Sequence, residues 1–252
     1  VTEDYKILYD ISKEDFETSK LLLENNFYPQ SLFYFQQSIE KLIKYLGLKD
    51  GIISTKDLSR KISHNSSLIF KKALTKYKSL NNSIVDFDIN KEFQELDEII
   101  KKTPDDKVLE VILKNIFDVL KNKPELPFDI EKIKNFEDLY QVLKKISPDM
   151  PQLEELRRID NNKLFKPIAE KMLQDFKASF DEYIQGIIIL FYINTISQRL
   201  VSTVRYPELD QMINPSEIFN KEHSLVKELP TLHMALEYSL ETIKTKENEK
   251  TI

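Results

Sequence analysis

Apolar residues return at three- and four-residue intervals along almost the whole chain, and no stretch shows the period-two alternation of a half-buried strand. Successive side chains of an α-helix turn by 100°, so this spacing gathers apolar groups on one face of a helix and scatters them on a strand. Only three of the 252 residues are glycine, and 41% are apolar, enough to fill a sizeable core. The expected fold class is therefore all-α.

Residues 31–49, SLFYFQQSIEKLIKYLGLK, show the pattern at its clearest. Leu32, Phe35, Ile39, Leu42, Ile43 and Leu46 fall in one stripe, which predicts a helix over about 30–47 with that face buried. Phe33, Tyr34, Lys41, Lys44 and Tyr45 point elsewhere, which predicts a second face covered by another helix or another subunit. Gln36 can reach Glu40, and Glu40 stands four residues before Lys44 in the favourable order, although such pairs contribute only a few tenths of a kcal/mol each. Upstream, Ser12 and Asp15 have the form of a capping box, predicting a helix over about 13–25 that ends at ENNFYPQ. Gly47 and Gly51 bracket the exit of the second helix, and a loop leads to a shorter helix over about 66–80.

Farther on, Thr103, Pro104, Asp105 and Asp106 start a helix whose predicted buried stripe is Leu109, Ile112, Ile116 and Leu120. Pro124, Pro127, Pro148 and Pro151 divide the next stretch into short pieces. A long helical stretch is expected over about 163–204, interrupted near Gly186. Asn214, Pro215 and Glu217 signal another helix start, and Pro230 is expected to kink or split that region. Leu232, Leu236, Leu240 and Ile243 share the face of the last helix.

Zero cysteines exclude disulfides, thiolate metal sites and a cysteine nucleophile. The longest apolar run, Ile187–Ile193, is far too short to span a membrane, and the first residues lack a signal-peptide pattern. The expectation is a soluble, cytoplasmic protein without a membrane contact. Net charge is −5, but residues 41–78 hold ten basic residues against only Asp50 and Asp57, a local excess that attracts phosphates or an acidic partner and otherwise serves as a solvated lysine surface. His223 and His233 lack metal-ligand spacing and are expected at the surface or its boundary. No metal site, cofactor motif, Gly-rich phosphate loop or serine-nucleophile motif is present, and no cofactor is expected.

The helix carrying Gln36, Gln37, Glu40, Lys41 and Lys44, the SHN segment at His64 and the VRYPE segment at Arg205 and Tyr206 occur in the order found in the HEPN family (higher eukaryotes and prokaryotes nucleotide-binding). The chain resembles that family over about 9–82 and 180–247. The resemblance implies an HEPN-like helical bundle built from residues 1–82 and 179–252, with 83–178 as an inserted helical subdomain. The insertion is the acidic part, with 21 acidic and 17 basic residues.

The family resemblance implies a nucleotide- or RNA-binding protein of a toxin-antitoxin or defence-type system, commonly a homodimer. Lys41, Lys44, Arg60, His64, Arg205 and Tyr206 are its expected phosphate or nucleotide contacts. Two other readings rest on the same resemblance. One is a metal-independent endoribonuclease in which His64 moves the proton of the attacking hydroxyl and Arg60 steadies the phosphorane. For that role Arg60 and His64 depart from the family pattern in spacing, in residue type and in position. The other is a non-catalytic interaction protein paired with a nucleotidyltransferase-like partner.

Overall fold

The computed structural model describes residues 5–58, 66, 68–70, 72–73, 105–121, 166–198 and 214–248. All regular structure among them is helical, as the spacing predicts. In chain order the helices are α1 (Lys6–Glu24), α2 (Tyr28–Lys49), the single turn α3 (Thr55–Asp57), α4 (Asp105–Lys121), α5 (Lys166–Gln198), the short α6 (Pro215–Ile218) and α7 (Ser224–Asn248).

Local chemistry sets the ends of the first two helices. Asn26 takes a left-handed conformation (φ 63°), which asparagine tolerates better than most residues, and the Phe27 amide returns to the Leu22 carbonyl at 2.9 Å. Pro29 sits in the first turn of α2, where a missing N–H costs nothing. Gly51 (φ 62°) closes α2, and the Ile52 and Ile53 amides both donate to the Gly47 carbonyl. Ser54 and Asp57 form a reciprocal capping box at α3.

α1 and α2 form a hairpin, and α2 packs directly against both α5 and α7 in spite of the distance along the chain. One core runs through these helices, with Phe35, Ile39, Leu42, Ile189, Leu190, Leu232 and Leu236 buried in it. All four residues of the expected α7 face are buried, and α4 contributes Val108, Leu109, Ile112 and Ile116 through its contact with α5.

Tertiary packing overrides the local signals at five places. α1 begins at Lys6, not near residue 13, and Ser12 lies inside it, donating its hydroxyl to the Ser38 carbonyl at 2.8 Å. The added turns are held by Tyr9, whose ring meets that of Tyr45 at a tilt with centroids 5.4 Å apart and whose hydroxyl donates to the Leu240 carbonyl at 3.1 Å. Tyr45 is consequently fully buried within its own chain, whereas Phe33 and Tyr34 stay half-buried against each other.

α5 runs unbroken through Gly186, where a Cβ would stand 2.1 Å from Thr242 Oγ1. This glycine permits close approach of α7, and Ser239 Oγ donates to its carbonyl at 2.9 Å. α7 likewise continues through Pro230. Leu120 faces outward, because the stripe of α4 shifts to include Val108 instead.

Candidate functional site

One side of the α1–α2 hairpin carries a chain of buried and half-buried polar contacts. Gln37 Nε2 donates to Gln36 Oε1 at 2.8 Å, Gln36 Nε2 donates to Glu40 Oε2 at 3.1 Å, and Lys44 Nζ donates to Glu40 Oε1 at 2.6 Å. Glu40 is 4% exposed, so a carboxylate this deep requires its donors. The next residue, Lys41, pairs with Asp15 of α1. The two glutamines and the Glu-Lys pair therefore lie in a network on the hairpin, and both expected phosphate-binding lysines of this helix already meet carboxylates.

Lys49 is engaged too. Its ammonium lies 5.2 Å from the Tyr45 ring centroid and 5.8 Å from that of Tyr183, and it donates to the Ile243 carbonyl at 3.4 Å. Lys72 approaches Asp57 at 3.5 Å. The lysines of the basic stretch thus do more for the fold than their count implies. Arg60, His64, Arg205 and Tyr206 lie outside the described residues.

A second polar group is neutral and buried. Ser12 and Ser19 lie two turns apart on α1, facing Ser38 and Ser31, which are two turns apart on α2; all four are fully buried. Ser19 Oγ donates to the Ser31 carbonyl at 2.8 Å, and Ser31 Oγ donates to the Ser19 carbonyl at 2.7 Å. Small side chains let the helices approach closely enough for these exchanges.

His233 of α7 completes this group, with Nε2 2.8 Å from Ser19 Oγ. The single Ser19 hydrogen is directed to Ser31, so hydrogen-bond counting assigns the remaining proton to His233 Nε2. Its ring meets Phe16 and Phe35 edgewise at 5.6 and 5.5 Å. Burial, followed by the Lys20 charge, lowers its pKa to about 4. The expected surface position is thus corrected: His233 is a core residue held neutral.

His223 is a partly exposed capping residue, whose Nδ1 accepts from the Leu225 amide at 3.2 Å. Sequence reasoning missed the buried serines, although their seven-residue spacing on the core side was a readable signal. Among the described residues no three His, Asp or Glu side chains converge as a metal site, and no helix is long and apolar enough to cross a membrane.

With this hairpin defined, the chain can be placed. The HEPN domain family model matches residues 5–121, covering α1 to α4. The match continues past residue 82 into α4. A curated relative, "Putative toxin MJ1304" of Methanocaldococcus jannaschii, is 40% identical over 48 residues, which are 19% of this chain and 32% of that protein. The aligned stretch therefore spans about a third of the relative's length. No solved structure matches the chain.

Proposed function

We propose that the chain is a toxin-type HEPN protein that holds a nucleotide or RNA through its phosphates and is neutralised by an antitoxin partner. The observation that carries this reading is the HEPN match over residues 5–121 together with the likeness to a protein named as a toxin. The basic excess of residues 41–78 supports the phosphate preference. Arg60, His64 and Arg205 are its proposed donors, and Tyr206 offers a stacking face. Lys41 and Lys44 enter in a reduced role, since displacing Asp15 or Glu40 would cost part of what a phosphate contributes.

The test is a low-salt binding and cleavage assay with labelled oligouridylate, run on wild type, Arg60→Gln and His64→Ala. Wild type should bind without cutting, and His64→Ala should bind almost as well. Arg60→Gln should weaken binding and flatten the logarithmic salt slope by about 0.7, as expected for one lost contact to a single strand. Metal-independent cutting abolished in His64→Ala would establish the ribonuclease reading instead. Failure of wild type to bind at low salt would leave the partner-binding role alone.

A further inference from the structure

α4 carries apolar side chains over more of its circumference than its own chain covers. It buries Val108, Leu109, Ile112 and Ile116, yet three of the seven large apolar side chains exposed among the described residues, Val111, Phe117 and Leu120, also stand on this helix of 17 residues. Phe117 is 53% exposed and Leu120 42%. At 100° per residue, half-buried Leu113, Phe117 and Leu120 form a strip about 60° wide beside the buried stripe, at the spacing by which one helix packs on another. Val111 points away from this strip. Elsewhere among the described residues the exposed apolar groups are scattered, with Ile7 and Leu21 at opposite ends of α1 and Met234 on α7.

Glu110, Lys114, Asp118 and Lys121 edge the solvent side of the strip, all exposed, and none of the four makes an ion pair or a side-chain hydrogen bond among the described residues. Their order suits a second copy running antiparallel. When α4 is turned about a point near Ile116 and laid on itself, Glu110 comes opposite Lys121 of the second copy, Lys114 opposite Asp118, Leu113 opposite Leu120, and Phe117 meets its own counterpart. The midpoints of these pairings fall within about one and a half residues of one another, or about 2 Å along the axis. Two-fold symmetry makes each unlike pair occur twice, whereas a parallel arrangement in register would set every charge against its own kind.

The surface is firmly held. The buried stripe packs on α5, Gln185 Nε2 donates to the Val119 carbonyl at 3.3 Å near the end of α4, and Ser224 Oγ donates to Asp106 at its start. α2, whose second face was the expected subunit contact, offers no such surface, because residues 31–49 contain no exposed side chain.

We propose that two copies of the chain pair antiparallel through α4, with Leu113, Phe117 and Leu120 forming the seam and the Glu110–Lys121 and Lys114–Asp118 contacts fixing its direction. The family resemblance implies a homodimer without assigning its surface, and the inference does not depend on the nucleotide- or RNA-binding reading. A single helix pair buries less than the roughly 1,200 Å² at which stable interfaces begin, so monomer and dimer exchange reversibly.

The test is sedimentation equilibrium of the full chain from micromolar to near-millimolar concentration, with thermal melts alongside. Wild type should reach a dimer. Phe117→Glu should weaken association at least about thirty-fold, because it removes the central aromatic group and sets two carboxylates together on the axis. Glu110→Lys and Lys121→Glu should each weaken it about ten-fold, since symmetry counts every change twice, and the double Glu110→Lys/Lys121→Glu should return to within about two-fold of wild type. All of these positions are exposed, so the melts should stay close to wild type.

A wild type that stays monomeric throughout would overturn the proposal and leave the strip to a different protein. A dimer indifferent to Phe117→Glu would overturn it by placing the contact elsewhere. Single reversals that leave the dimer unchanged, or that the double fails to rescue, would overturn the antiparallel pairing. If a member of that set does not fold, Lys114→Glu, Asp118→Lys and their double decide the matter by the same criterion.

Discussion

The two polar groups of the α1–α2 hairpin are built on opposite principles. At the Ser19–Ser31–His233 group every partner is neutral and dry, so its contribution depends on the position of single hydrogens. At the Gln36–Glu40–Lys44 and Asp15–Lys41 group two carboxylates meet two lysines whose side chains are 16% and 23% exposed, so the water-facing ammonium ends leave the attraction partly screened and the geometry less demanding. The first should respond to pH and hardly to salt. The second should respond to salt and tolerate small displacements.

Acidification is the strongest way to break this comparison. The folded pKa of His233 is near 4, below the ordinary value of 6.5, so the unfolded chain takes up a proton first as the pH falls. The stability this histidine contributes is present above pH 6.5 and is lost on going down to pH 4, by about 3 kcal/mol. Urea melts across that range should show the loss in wild type and a much shallower one in His233→Gln. A pH-independent difference between the two proteins would refute the neutral-histidine assignment.

Ser19→Ala comes next. It removes the acceptor for His233 Nε2 and the donor to the Ser31 carbonyl at once, at a cost of about 2 kcal/mol that added salt should leave unchanged. Urea melts at low and high ionic strength check both the size of the loss and its indifference to salt.

Glu40→Ala should cost about 1.5 kcal/mol, since Lys44 keeps partial access to water while Gln36 loses its acceptor. Here the loss should shrink in high salt, and a chemical melt at two ionic strengths measures it. The smallest effect is expected for Lys41→Gln, about 0.5 kcal/mol, because the Lys41 side chain is 23% exposed and glutamine can still reach Asp15. If Lys41→Gln instead destabilises more than Ser19→Ala, the contrast between the two groups is lost.

These groups also separate what was readable from what was not. Gln36, Glu40 and Lys44 recur at four-residue steps on one helix, so their contacts arise from a fixed local geometry, and the sequence announced them. Ser19 and His233 are 214 positions apart, and nothing in the spacing of either predicts the other. The same holds for Ser66 with Asn194 and for Tyr9 with Leu240.

By itself the sequence determined the helical class, the ends of the hairpin at Asn26 and Gly51, the buried stripes of α2 and α7, and the resemblance that the family match bears out. All of these depend on dihedral preferences and on a periodicity contained within a few turns. Only the tertiary structure decided that Tyr45 points into its own chain, that α5 passes Gly186 without a break, and that His233 is a core residue. Each of those outcomes is set by what a distant helix presents to the side chain, and a local pattern of apolar and polar residues carries no record of that partner.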